Sequence, residues 1–110
     1  MPFRALGLDD RILQAIQEAG YTEPTPIQTA AIPEVLSGRD VIGIAQTGTG
    51  KTAAFVLPIL TRLMRGEQRP GMHALIVAPT RELVVQIEEN VRAYARHLPL
   101  RMATVYGGVS

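Results

Sequence analysis

Apolar residues recur along this chain at two spacings. Between Asp9 and Gly20, Ile12, Leu13 and Ile16 share one helix face after an acidic start at Asp9 and Asp10, and Gly20 supplies a stop, so a short helix is expected. The run TPIQTAAIPEVLSG opens on Thr25 as a candidate N-cap, with Pro26 at the first helical position and Gln28 three residues after the cap; Pro33 is expected to break or restart this helix. Helical spacing returns from Lys51 to about Arg65 and from Thr80 to about Leu98. In the second stretch Leu83, Val84, Ile87, Val91, Ala95 and Leu98 form one stripe. Between the helices lie short β-branched apolar runs at Val41 to Ala45, His73 to Pro79 and about Met102 to Tyr106, which read as strands. The order β-α-β-α-β with buried-looking strands predicts an α/β fold, a parallel sheet with flanking helices. Arg65 to Gly71 is the one loop-like linker.

Composition narrows the chemistry. At 110 residues and 46% hydrophobic side chains, the chain fits one small domain or a piece of one. A net charge of +1 provides no global basic field, so nucleic-acid binding would have to come from a local arrangement of arginines. No cysteine is present, and His73 and His97 are too far apart to suggest a zinc motif. No apolar run is long enough to span a bilayer and MPFRALGLDD lacks a signal-peptide core, so the expected location is cytoplasmic, with no membrane partner.

Lys51, the only lysine, stands in AQTGTGKT, Ala45 to Thr52, between a predicted strand and a predicted helix. A Gly-rich turn there points several backbone N–H groups into one concavity at the positive end of the helix dipole, where a polyphosphate is held. Gly48 and Gly50 allow the tight backbone, with Thr47 and Thr49 between and beside them. Lys51 would reach the β- and γ-phosphates, and the Thr52 hydroxyl would complete the shell of a Mg²⁺ bridging them, which makes these two the candidate catalytic residues. The strict P-loop pattern begins with Gly, whereas Ala45 stands here. A turn that merely ends a strand is the plainer alternative.

GYTEPTPIQTAAIP, then AQTGTGKT, PTRELVVQI and YGG, resembles the first RecA-like domain of a bacterial-type DEAD-box ATP-dependent RNA helicase, in its N-terminal part. That family carries Ala at the position of Ala45. The resemblance implies ATP and Mg²⁺ as cofactors, residues 1–38 as adenine-recognition helices (the Q-motif) and residues 39–110 as the first half of an incomplete RecA-like P-loop domain. It implies that Gln28 reads adenine and Phe3 stacks on it. A carboxamide suits adenine, donating to N7 and accepting from the N6 amino group. Gln28 also fits a capping box with Thr25, and Phe3 fits an apolar anchor for the N-terminus. The resemblance further implies that Pro79, Thr80, Arg81 and Glu82 meet an RNA backbone and that Gly107 and Gly108 let the same strand approach. Taken alone, Thr80 is a helix cap, Arg81 a solvated charge and the glycine pair a turn. Tyr21 is expected to pack, and Arg62, Arg65, Arg69, Arg92, Arg96 and His97 to be solvated.

After Lys51 there is no Asp, and Glu67, Glu82, Glu88 and Glu89 fall in a loop or on predicted helices. The family's Asp-Glu-Ala-Asp and Ser-Ala-Thr motifs and its second RecA-like domain with an arginine finger are absent. The chain therefore reads as a fragment: an ATP-binding piece of an RNA helicase that lacks hydrolysis by itself, with the C-terminal part of the helicase as its missing partner. A truncated sheet edge would favour self-association. A stand-alone non-catalytic nucleotide-binding module is the alternative from another class. A DNA-acting ATPase is disfavoured by the joint presence of PTPIQ and PTREL.

Overall fold

The computed structural model describes residues 2–44, 50–66 and 73–105. A short 3₁₀ turn at Phe3–Leu6 is followed by α1 (Asp10–Glu18), α2 (Pro26–Leu36), α3 (Lys51–Arg65) and α4 (Arg81–Tyr94). Asp9 caps α1 by accepting from the Arg11 N–H at 2.8 Å, so one orphan donor of the first turn is satisfied. Gly20, at φ 90°, takes the left-handed position after the helix, and the Tyr21 N–H closes back on Ile16 O at 3.0 Å.

Helix α2 runs unbroken through Pro33, contrary to expectation. Pro33 forfeits only the bond its missing N–H would have made to the preceding turn. Burial of Ala31 and Ile32 outweighs that loss, and α2 makes its most extensive helix contact with α3. Helix α3 likewise tolerates Pro58, which is fully buried among Val56, Leu57 and Leu60. Helix α4 ends at Tyr94 rather than continuing to Leu98, and a turn closed by Leu98 N–H to Ala95 O at 2.9 Å replaces its last residues. The stripe still does its work, since Ile87, Val91 and Leu98 are buried and Leu83 and Ala95 pack on the core.

These helices share one apolar core in which Phe3, Leu6 and Leu8 pack with Ile12, Ile16, Ile32, Leu57 and Tyr94. Each fully buried aliphatic side chain contributes roughly 1.5–3 kcal/mol relative to exposure. A buried polar tie joins α1 to α3. Thr61 Oγ1 donates to Leu57 O at 3.0 Å and accepts from the Asp9 N–H at 3.2 Å, so its burial leaves nothing unpaired.

The three expected strands are not formed among the described residues: 41–44, 73–78 and 101–105 are neither helical nor paired in a ladder. The physical reason is that helical hydrogen bonds are local, whereas a strand exists only against a partner about 4.7–4.9 Å away. These segments do not serve as one another's partners. Ala78 and Met102 pack on the core, but most of the other apolar side chains face solvent, with Ile42 at 93% and Val105 at 90% exposure. Ala45 and Tyr106, the ends of two of these runs, and most of the expected 65–71 linker lie outside the described residues.

Candidate functional site

Gln28 sits in the first turn of α2 and is only 3% exposed, so its amide must find partners inside the protein. Its Oε1 accepts from the Thr25 N–H at 2.9 Å, the reciprocal half of a capping box. Its Nε2 donates to Gly50 O at 3.2 Å. One side chain thereby joins the start of α2 to the residue before α3. Gly50 is at φ 82°, and a Cβ built there would collide with Gln28 Nε2 and lie 3.4 Å from Thr25 Oγ1. Only glycine meets both demands, the left-handed backbone and the close approach. Thr25 Oγ1 stands where a box would use it, yet it is buried without a hydrogen-bond partner.

Beyond Gly50, α3 begins at Lys51 with no side-chain cap. Asp9 caps α1 and Thr80 caps α4 through side-chain oxygens, whereas among the described residues no side chain bonds the first N–H groups of α2, which opens on a proline, or of α3. Uncovered N–H groups at the positive end of a helix dipole attract an anion. Lys51 is exposed and Thr52 is half-buried. Lys51 also borders an apolar cavity of about 320 Å³ between α2 and α3, lined by Ile27, Ala31, Val35, Ala54 and Phe55. Of the expected phosphate cradle, Thr47, Gly48 and Thr49 lie outside the described residues.

Pro79 and Thr80 immediately precede α4, and Arg81 and Glu82 form its first turn; all four are exposed. Thr80 Oγ1 accepts from the Leu83 N–H at 3.1 Å, so the cap is real. Gly107 and Gly108 lie outside the described residues. Phe3 is 6% exposed and belongs to the core cluster, the place of an N-terminal anchor.

Several charges are engaged rather than simply solvated. Arg65 Nη2 donates to Gly7 O at 2.7 Å, because α3 ends beside the N-terminal turn. His97 pairs with Glu18, and that bond holds the Glu18 carboxyl below its usual range. Glu88 Oε1 accepts from Arg92 Nε at 3.1 Å and Nη2 at 2.9 Å, while its Oε2 accepts from Thr104 Oγ1 at 2.8 Å. The Thr104 bond, then Arg92, lowers the Glu88 pKa. This tie and that of Tyr94 to Tyr21 are absent from the sequence reading. Tyr94 falls on the α4 stripe with Ile87, Val91 and Leu98, which signals burial, but no local pattern names a partner 73 residues away. Among the described residues no group of three or more His, Cys, Asp and Glu could hold a metal, and no helix is long and apolar enough to cross a membrane.

A family model described as DEAD/DEAH box helicase matches residues 25–110. The chain is 50% identical over 108 residues to the ATP-dependent RNA helicase CshA of Limosilactobacillus reuteri, covering 98% of this chain and 21% of that protein. It is 50% identical over 111 residues to the ATP-dependent RNA helicase SrmB of Escherichia coli K12, covering 98% of the chain and 25% of that protein. Among solved structures, the RNA helicase Prp28 from Chaetomium thermophilum bound to ADP superimposes with a TM-score of 0.86 at 50% identity, over 96% of this chain and 26% of that one. A DEAD box protein from Methanococcus jannaschii gives a TM-score of 0.90 at 36% identity, over 100% of this chain and 30% of that one. The chain thus spans about a fifth to a quarter of the length of these curated relatives.

Proposed function

Because the chain belongs to the DEAD/DEAH box helicase family, we propose that it is the adenine-nucleotide-binding portion of an ATP-dependent RNA helicase that remodels or unwinds RNA duplexes. The observation that carries this reading is the Gln28 amide held between Thr25 and Gly50. A carboxamide has two N–H donors and two acceptor lone pairs. The internal bonds use one of each. What remains, one N–H and one lone pair, is the set that adenine N7 and the N6 amino group require, whereas guanine offers an acceptor in place of that amino group. Gln28 therefore has capacity for capping and base reading together. Phe3 would stack on the base only by giving up its place in the core, so base choice rests chiefly on Gln28.

In this reading the uncapped start of α3, with Thr47 to Thr52, cradles the phosphates, and Lys51 meets their charge. Gly50 supports it by taking the left-handed backbone before α3 while leaving room for the Gln28 amide, which a Cβ there would strike. The Thr52 hydroxyl would contribute to the shell of a Mg²⁺, whose chemistry is charge neutralisation between the β- and γ-phosphates. Segments 41–44, 73–78 and 101–105 become strands of a parallel RecA-like sheet in the whole protein, with residues 1–38 as the adenine-recognition part and 39–110 as the first half of the sheet domain. Pro79, Thr80, Arg81, Glu82, Gly107 and Gly108 contact the RNA backbone without reading sequence, and the protein works in the cytoplasm. The exposed apolar segments favour self-association of this chain alone.

Nucleotide titration of Gln28→Glu, with circular dichroism as the folding control, tests the central assignment. Glu keeps an acceptor for the Thr25 N–H and loses the donors to Gly50 O and N7. A loss of about 1–3 kcal/mol in ATP binding with helix content retained is expected. Unchanged affinity in the folded variant would leave Gln28 only its capping role.

A further inference from the structure

The α1–α2 connection is stiff and is held at both ends. It leaves α1 through the left-handed Gly20 and the Tyr21 N–H to Ile16 O bond. It then contains Pro24 and Pro26, so Glu23 and Thr25 each precede a proline and are restricted to extended backbone; Thr25 is at φ −76°, ψ 166°. It ends at the Thr25 N–H, which sets the Gln28 amide. At its start the Tyr21 side chain bonds to another element of the fold. The Tyr21 ring lies on Tyr94, the last residue of α4, with centroids 6.0 Å apart and planes tilted by 52°, and their hydroxyls are 3.1 Å apart.

Tyr94 is buried and Tyr21 is half in solvent. A phenol buried on one helix and bonded to the hydroxyl of an exposed tyrosine in a connection is a positioning contact, because the exposed partner adds little to the core. Burial, then the Tyr21 hydroxyl, pushes the Tyr94 phenol well above its ordinary range, so it stays neutral. The Glu18–His97 pair ties the same end of α1 to the turn after α4 and keeps the two elements together, with Arg96 as the other charge facing Glu18.

We propose that Tyr94, acting through the Tyr21 hydroxyl and the Pro24–Pro26 connection, is a positioning residue for adenine selectivity: it fixes where the Thr25 N–H holds the Gln28 amide. This rests on the adenine reading given above. Neither tyrosine touches the nucleotide in this scheme, so their effect falls on base choice and not on phosphate binding.

The test is titration of the 110-residue chain with ATP and GTP for the unsubstituted protein, Tyr94→Phe, Tyr21→Phe and the double variant, each checked by circular dichroism. Phe retains both rings and removes only the hydroxyl pair. The ATP-to-GTP affinity ratio is expected to fall about threefold to tenfold in each single variant, the scale of one hydrogen bond, and no further in the double variant, since one bond is lost in all three. A uniform loss for both nucleotides is a general structural effect and overturns the proposal, as does an unmoved ratio in either folded single variant. Tyr21→Phe, altering a half-exposed residue, keeps the test decisive if Tyr94→Phe unfolds. No ATP preference in the unsubstituted chain would instead overturn the adenine reading itself, and this inference with it.

Discussion

Two sets of apolar residues in this chain have opposite fates. Ile12, Ile32 and Leu57 on the helices are at 0% exposure, while Ile42, Ile44, Val77 and Val105 in the intervening segments are between 83% and 93% exposed. Hydrophobicity does not separate them. What separates them is where their backbone finds its hydrogen bonds. A helix completes its ladder within its own sequence and then needs only its apolar surface covered, which the amphipathic helices α1, α3 and α4, with the apolar α2, do for one another. A strand needs a neighbour to complete its backbone before its side chains are sheltered. Among the described residues the helical shell is therefore formed and the strands are not.

The largest effect expected from breaking this contrast is Leu57→Ala, which opens a cavity in the shell. It should cost about 2–5 kcal/mol in thermal or denaturant unfolding, whereas Val77→Ser should stay within about 0.5 kcal/mol. Equal costs would mean that the exposed segments are paired in solution. Gly50→Ala comes next, at about 1–3 kcal/mol, since it strains a left-handed backbone and displaces the Gln28 amide. Chemical denaturation beside Gly38→Ala, a left-handed glycine with only an Arg62 side-chain end 3.9 Å away, separates the collision from the backbone strain that both share.

Much of the shell was legible in the residues. Asp9, Gly20, Thr25 and Pro26 marked helix ends by local chemistry, and the stripe through Ile87, Val91 and Leu98 pointed to the buried face of α4. Pro33 misled because a local rule was applied where tertiary burial of Ile32 decides. The strand segments were legible as apolar runs, but pairing is non-local and no run encodes its neighbour. At the site, the spacing from Thr25 to Gln28 foretold the cap, and the motif placed Gly50 and Lys51 together. The bond from Gln28 to Gly50 spans 22 residues, and nothing in either neighbourhood announces it.

The acid response should be smaller and confined to the shell. Asp9 is held below its ordinary pKa chiefly by the Arg11 side chain, Glu18 by His97 and Glu88 by Thr104. A carboxyl depressed on folding stabilises the fold above its unfolded value, 3.8 for Asp9 and 4.5 for the glutamates, and that stability is lost as pH falls through the lower folded value. Unfolding midpoints measured from pH 6 to pH 2 should fall most below about pH 4.5, and Asp9→Asn should flatten the curve. The smallest stability effect belongs to Ile44→Lys, which should leave the unfolding midpoint nearly unchanged and lower the apparent mass in sedimentation at high concentration. An unchanged mass distribution would remove the exposed segments as the cause of association.

The central claim is that the helical shell already presents a polyphosphate site at the uncapped start of α3. Calorimetric titration of the 110-residue chain with Mg²⁺-ATP, beside its Lys51→Ala variant, tests it most directly, with phosphate release followed on the same samples. The account predicts weak binding by the unsubstituted chain, a loss of about 1.5–3 kcal/mol in the variant, and no release above background in either, because no Asp follows Lys51 in the sequence to orient a water. Equal binding by the two proteins, or RNA-stimulated release that disappears with Lys51, would contradict it.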